Sequence, residues 1–296
     1  MASIQAKLVA KALGLQDFDW AKGSIAEQRS KQEKNARFFR VPKEVIVNSL
    51  SIDGIPAEFI DVQASKKGVI LYLHGGAYAL GSVAVHREFL GRLAIACQIK
   101  VLAIDYRLAP EHPFPAALED TLSAYHWLLS QGYDPATTVV AGDSAGGGLA
   151  LATLLSLWDS NSPLPACAVC LSPWLNLSYT HETSHNNHDP ILNPAVLSVF
   201  ARYYAGETDA ANPLISPFYA DLQGLPPLLI QAGKNEILID EIEQFSEKAR
   251  QAGVEIVLDR WPGLFHVFQI IPIIPESKLS IEKIAKFIHN KIGQTP

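Results

Sequence analysis

Gly142-Asp143-Ser144-Ala145-Gly146 is the sharpest chemical signal in the chain. It has the form G-x-S-x-G, follows a β-rich run at 138–141 and opens an apolar helical stretch at 147–158. In that context a tight strand-to-helix turn holds the serine in a strained backbone, small neighbours leave room, and the hydroxyl stands exposed above a sheet. The helix start behind it adds partial positive charge. Outside that context the same glycines would make an ordinary turn. A serine hydroxyl is a weak nucleophile until a base takes its proton, so a carboxylate and then a histidine are expected downstream.

His266 fits the base. It follows a β-rich run at 255–258 and a turn at Pro262-Gly263, which places it on a loop at a strand's C-terminal end. His126 lies within an amphipathic helical stretch and reads as structural; His289 lies on the last helix and is expected to be exposed. His181, His185 and His188 precede the late strands and read as surface or cap residues. The acid should follow the run at 228–231, where Glu236, Asp240 and Glu241 stand. Asp240 is expected to be the N-cap of the next helix. Glu236, on the loop, is then the group that orients the imidazole and stabilises its cation.

An oxyanion needs preorganised N–H donors. Ala145, just after the nucleophile, should supply one. The turn His74-Gly75-Gly76-Ala77-Tyr78, after the run at 69–73, should supply the others through Gly75 and Gly76. His74 is expected to brace this turn, and Asp143 to be a buried hydrogen-bond anchor for the serine turn. Tyr78, Trp174 and Phe265 are candidates for the substrate pocket, with core packing as the alternative for each.

The elements that must hold these groups form an alternating pattern. Apolar β-rich runs at 69–73, 101–104, 138–141, 166–171, 228–231 and 255–258 are separated mostly by amphipathic helical stretches at 88–96, 116–130, 147–158 and 241–251. A last helix places Ile281, Ile284, Ala285 and Ile288 on one face. Strands apolar throughout that alternate with helices imply an α/β fold with a mostly parallel sheet covered on both faces. Runs at 44–48 and 57–62 around Asp53-Gly54 predict a hairpin before it. A polar, helix-prone leader of about 45 residues containing Trp20, and a long insertion at 179–213 with a helical patch at 195–204, fall outside the alternation.

Composition excludes several other functions. With 296 residues, 48% of them hydrophobic, and a net charge of −6, the chain has a large core and is a poor binder of phosphate backbones. No run approaches the ~20 apolar residues of a membrane span, and lysines interrupt the N-terminal apolar residues, so no signal peptide is expected. Three cysteines make no disulfide framework and point to a reducing, cytoplasmic compartment. Cys167 and Cys170 have redox-motif spacing, but i and i+3 on a strand face opposite ways, so plain packing is expected.

Taken together, these segments resemble the hormone-sensitive-lipase-like family (bacterial family IV) of α/β-hydrolase carboxylesterases over nearly the whole chain. The likeness rests on His74-Gly75-Gly76-Ala77-Tyr78 with Gly81-Ser82, the run from Asp105-Tyr106-Arg107 through Pro110-Glu111-His112 to Ala117, and Gly142 to Gly147. Leu171-Ser172-Pro173-Trp174, Gly233 to Glu241, and Phe265-His266-Val267-Phe268 complete it. The resemblance implies a single α/β-hydrolase domain with a Ser144, Glu236, His266 triad. It also implies an oxyanion hole at Gly75, Gly76 and Ala145, and a helical cap from about 1–45 and about 180–213. The expected chemistry is hydrolysis of short-chain acyl esters without metal or cofactor. A homodimer through the edge strand at 255–258 is the expected assembly. The same triad would also run amide hydrolysis of the arylformamidase type, and some relatives only bind small ligands; such binders usually lack a complete triad. Two positions depart from the family pattern: Ala77 stands where many relatives carry a third glycine, and Glu236 where Asp is commoner. Glu111 lies on an arm that the resemblance places near the site, and the sequence assigns it no role.

Overall fold

The computed structural model describes residues 2–15, 24–63, 65–178 and 189–293. Trp20 and the histidines His181, His185 and His188 lie outside the described residues. The leader forms helices α1 (Ile4–Gly14) and α2 (Ile25–Ala36). A hairpin follows, β1 (Val45–Ile52) and β2 (Ile55–Val62), closed by Asp53 and Gly54, both at positive φ. That is the backbone a two-residue hairpin turn requires.

The alternating body follows: β3 (Val69–Leu73), α3 (Val83–Cys97), β4 (Lys100–Ile104), α4 (Ala116–Ser130), β5 (Thr138–Asp143), α5 (Ala145–Asp159) and β6 (Cys167–Leu171). The insertion contributes α6 (Pro194–Ala205) before β7 (Leu228–Gly233), α7 (Ile239–Gln251), β8 (Ile256–Trp261) and α8 (Pro275–Lys291). The sheet order is β1-β2-β4-β3-β5-β6-β7-β8; β1, β2 and β4 pair antiparallel, and every pairing from β4 to β8 is parallel.

Residues of β3, β5, β6 and β7 are buried throughout, as strands covered on both faces must be. β8 departs from that expectation. It ends the sheet, and Val257 is 44% exposed. The sheet divides the core into two layers. Cys170 packs in one and Cys167 in the other, so the pair faces opposite ways, and all three cysteines are free and buried. His289 corrects the expectation of exposure: it is buried, with Nε2 2.6 Å from the carbonyl oxygen of Cys97. No helix of the described residues is long and apolar enough to cross a membrane.

The parallel strands all point one way, so their C-terminal ends form one surface, where open α/β sheets place their ligands. His74 directly follows β3, Ser144 follows β5, Ser172 follows β6, and Glu236 lies three residues past β7. The loop after β8 carries His266.

Candidate active site

Ser144 sits between β5 and α5 with φ 53° and ψ −120°, a backbone region costing on the order of 1–3 kcal/mol. The surroundings over-determine this conformation. Its N–H donates to Leu171 at 2.8 Å, and its carbonyl accepts from Gly147, Gly148 and Trp174. α5 starts Ala-Gly-Gly-Gly although glycine costs a helix about 1 kcal/mol relative to alanine. The reason is close approach: a Cβ on Gly146 would collide with the carbonyl oxygens of Leu73 and His74, and one on Gly147 with Pro173. The helix start is therefore pressed against the end of β3, which brings the serine beside the 74–81 turn.

His266 Nε2 lies 2.9 Å from Ser144 Oγ. Burial pushes the imidazole down to about 4, so it is neutral at neutral pH and free to accept a proton. Its loop is tied to the loop after β7 at two points: Lys234 N–H donates to Trp261 and Asn235 N–H to Leu264. Val267, at φ 49°, donates its N–H to Ser172 Oγ, and Ser172, at φ 45°, donates its hydroxyl to Glu236 Oε2 at 2.7 Å.

Glu236 is fully buried, and its Oε2 also accepts the Gly233 N–H at 2.9 Å. Burial pushes its carboxyl well above the usual carboxylate range, against the pull of the Ser172 hydroxyl. The expected Glu236–His266 hydrogen bond is not formed. Instead Oε1 of Glu236 and Nδ1 of His266 are both buried and both without a hydrogen-bond partner among the described residues. Asp240 is not the N-cap expected of it. Leu238 occupies that position, and Asp240 lies in the first turn of α7, where its charge faces the helix's positive end.

The 74–81 turn corrects the expected donor set. Gly75 N–H is committed to Asp143 Oδ1 at 2.9 Å. Ala77, at φ 53°, continues a turn in which Gly76 has φ 126°, where a Cβ would collide with Leu80. The N–H groups of Gly76, Ala77 and Ala145 have no acceptor among the described residues. For Ala145 that is the ordinary state of a first helical residue. Gly76 and Ala77 line the cavity over Ser144.

Asp143 is the anchor the sequence suggested, with more partners than it suggested. Tyr72 donates its hydroxyl at 2.7 Å, and His86 Nε2 stands 3.3 Å from Oδ2. Burial alone would raise the carboxyl, but His86 beside it holds it below the usual range, and the carboxylate in turn raises His86. His86 was missed by the sequence reading. Its position four residues past Ser82, the N-cap of α3, is the signal that places it one turn into that helix, facing the serine turn. His74 braces the turn as expected: it stacks on Tyr106 with centroids 4.3 Å apart and bonds the Gly75 carbonyl through Nδ1. Burial pushes it down to about 4.

The cavity above Ser144 has a volume of about 180 Å³. Trp174 lines it, but the other two pocket candidates do not. Tyr78 stacks on Tyr204 with centroids 3.6 Å apart, and Phe265 packs in a separate cluster with Trp261, Phe268 and Ala6 of α1. The walls come from residues the sequence did not single out: Leu80 and Val85, Ile191 and Leu192 of the insertion, Leu197 and Phe200 of α6. For Leu197 and Phe200 the only sequence signal is the helical patch at 195–204. Asp189 anchors this wall. Its Oδ1 accepts the N–H groups of Ile191 and Leu192, and its Oδ2 that of Ile237, beside Glu236. Burial pushes it up to about 6.

Comparison with known proteins agrees with this arrangement. The chain matches the alpha/beta hydrolase fold family over residues 70–270. It is 38% identical over 300 residues to an acetyl-hydrolase of Streptomyces hygroscopicus, covering 99% of each chain. It is 37% identical over 255 residues to an esterase of Acinetobacter venetianus, covering 85% of this chain and 84% of that one. A solved esterase from the bacterial hormone-sensitive lipase family superposes with a TM-score of 0.93 at 39% identity, over 99% of this chain and 100% of that one.

Proposed function

The chain belongs to the alpha/beta hydrolase family, on its bacterial hormone-sensitive-lipase branch, and is a carboxylesterase of the serine hydrolase class; from that premise we propose that it cleaves short-chain acyl esters through an acyl-enzyme on Ser144. The observation that carries this is the 2.9 Å contact of Ser144 Oγ with a neutral, buried His266 at the floor of an apolar cavity. Ser144 Oγ attacks the ester carbonyl as His266 Nε2 takes its proton. The carbonyl oxygen, now negative, is held by the N–H groups of Gly76, Ala77 and Ala145. His266 then gives the proton to the departing alcohol. Water, deprotonated by the same nitrogen, releases the acid.

Glu236 serves the charged imidazole. Proton transfer makes Nδ1–H of His266 a cationic donor, and the unpartnered Oε1 of Glu236 is its acceptor. Glu236 acts here as the carboxylate that the Ser172 hydroxyl and the Gly233 N–H hold, so it neither gains nor loses a proton in the step, and the imidazolium formed beside it offsets the cost of burying that charge. A catalytic hydrogen bond that is open in the resting enzyme and closes with substrate is a recognised pattern.

The cap consists of α2, α6 and the segment from Asp189 to Leu192, with α1 docked on α8 through Ser3 and Glu276. Its apolar wall supports small, uncharged acyl groups, in keeping with the acetyl-hydrolase relative. The unpaired side of β8 supports a homodimer built edge to edge, and the free thiols fit a cytoplasmic location. Turnover of p-nitrophenyl butyrate tests the proposal. Ser144→Ala should lower kcat by at least about a thousandfold, and a variant keeping a tenth of the activity would end it.

A further inference from the structure

Helix α2 has almost no apolar face. Its sequence, IAEQRSKQEKNA, has only Ile25 and two alanines as apolar residues, and none of its residues is fully buried. A helix this polar does not stay docked by burial of an apolar stripe. A capping box between Ser24 and Glu27 fixes its start but binds nothing outside it. What joins it to the body is a polar clasp. Arg29 and Gln32 are three residues apart and so share one face.

Arg29 Nε donates to the Ala79 carbonyl at 2.8 Å, and one terminal nitrogen donates to the Ala109 carbonyl at 2.7 Å. The guanidinium also meets both oxygens of Glu111, at 3.0 and 2.8 Å. Gln32 Oε1 accepts the Gly81 N–H at 3.0 Å. Ala79 and Gly81 belong to the turn that carries Gly76 and Ala77. Inside it, the N–H groups of Ala79 and Leu80 both donate to the Gly76 carbonyl. The carbonyl of Tyr78, just before Ala79, accepts the Ala109 N–H at 2.9 Å. Arg29 therefore bridges the turn to the 105–117 arm, through carbonyls that no other side chain holds among the described residues.

Resting on the esterase reading above, we propose that Arg29, backed by Glu111 and assisted by Gln32, is a positioning residue for the oxyanion turn: α2 serves as a strut that sets Gly76 and Ala77 as well as covering the pocket. Ala77 and Tyr78 are both non-glycine residues at positive φ, 53° and 61°. Such a backbone persists only where its surroundings hold it, and the clasp grips it on its C-terminal side as Asp143 grips it at Gly75. This gives Glu111 its role. The carboxylate fixes a planar guanidinium whose remaining donors match two carbonyls, a geometry that lysine does not reproduce.

The test separates positioning from mere adhesion of the cap. Arg29→Ala should lower kcat for p-nitrophenyl acetate about tenfold or more while KM moves less than about threefold, because misplaced donors weaken the transition state. The loss should be equal for acetate and hexanoate esters. Affinity for a trifluoromethyl ketone, which captures the tetrahedral geometry, should fall in step with kcat/KM. Arg29→Lys should recover only part of the loss. Gln32→Ala, which removes a single bond, should cost about two- to fivefold in kcat at unchanged melting temperature, and it carries the test if Arg29→Ala does not fold. An unchanged kcat, or a loss confined to KM and growing with acyl length, overturns the proposal. Ser144→Ala in the same assay keeps the two readings apart: activity surviving there would refute the esterase mechanism, whereas activity lost there and kept in Arg29→Ala would refute only the strut.

Discussion

The floor and the walls of the cavity are built by different means. The floor is backbone held in unfavourable conformations by buried polar bonds. Ser144, Ser172, Ala77 and Val267 all have φ between 45° and 53°. Three of them are tied to the ends of other strands: Ser144 to Leu171 and Trp174, Ser172 to Gln231 and Glu236, Val267 to Ser172. The walls are side chains of Ile191, Leu192, Leu197 and Phe200, placed by ordinary apolar packing and one half-buried carboxylate, Asp189. The floor tolerates little change, because each strained residue stands only while its neighbours hold it. The walls can exchange one apolar side chain for another at modest cost. On the proposed mechanism, chemistry is therefore fixed in the floor and selectivity is adjustable in the walls. The strut from α2 is the place where a cap element reaches the floor.

The largest effect that would break this contrast lies in the acid loop. Glu236→Gln should lower kcat by about a hundredfold or more, whereas Asp240→Asn, in the first turn of α7, should stay within twofold. Steady-state kinetics on p-nitrophenyl butyrate decide it, and the reverse order would move the acid to Asp240. A smaller effect concerns the floor's stability. Burial holds His74 and His266 down to about 4, against 6.5 for a free imidazole. With the folded value depressed, the unfolded chain takes up the proton first as the pH falls. The stability is full above pH about 6.5 and drains between there and about 4, by up to about 3 kcal/mol per histidine. Melting curves of His74→Gln should show a shallower loss over that window than the wild type, and parallel curves would remove His74 from the account. The smallest effect belongs to the walls. Leu197→Ala should raise the decanoate-to-butyrate rate ratio about tenfold, toward the low end of the about 1–3 kcal/mol that one methylene of fit is worth, while kcat on acetate stays within about threefold. A large loss on acetate would show that the wall also shapes the floor.

Much of the floor was legible in the sequence, because its parts are local. G-x-S-x-G, the His-Gly-Gly turn and the Pro-Gly turn before His266 each state their own backbone demands, and the apolar runs between them state the sheet. What failed to read was the assignment of individual donors and acceptors across elements. Gly75 looked like an oxyanion donor until its N–H was found on Asp143, a partner 68 residues away. Asp240 looked like an N-cap because Asp is a good one, but the helix begins two residues earlier than that requires, at Ile239 with Leu238 as its N-cap. His289 looked exposed because one helix face was counted without the Cys97 carbonyl behind it. The walls were least legible. An aromatic residue on a loop beside the site lines a pocket or packs in the core without any difference in sequence pattern, so Tyr78 and Phe265 stood level with Trp174 although, of the three, only Trp174 reaches the cavity.

The central claim is that Ser144 is the nucleophile and that His266 activates it. Peptide mapping by mass spectrometry after treatment with diethyl p-nitrophenyl phosphate tests it most directly. The account predicts one diethylphosphoryl group per chain, on Ser144, loss of esterase activity in step with labelling, and labelling at least about a hundredfold slower in folded His266→Gln. A group on another residue, or hydrolysis that continues after Ser144 is fully modified, would contradict it.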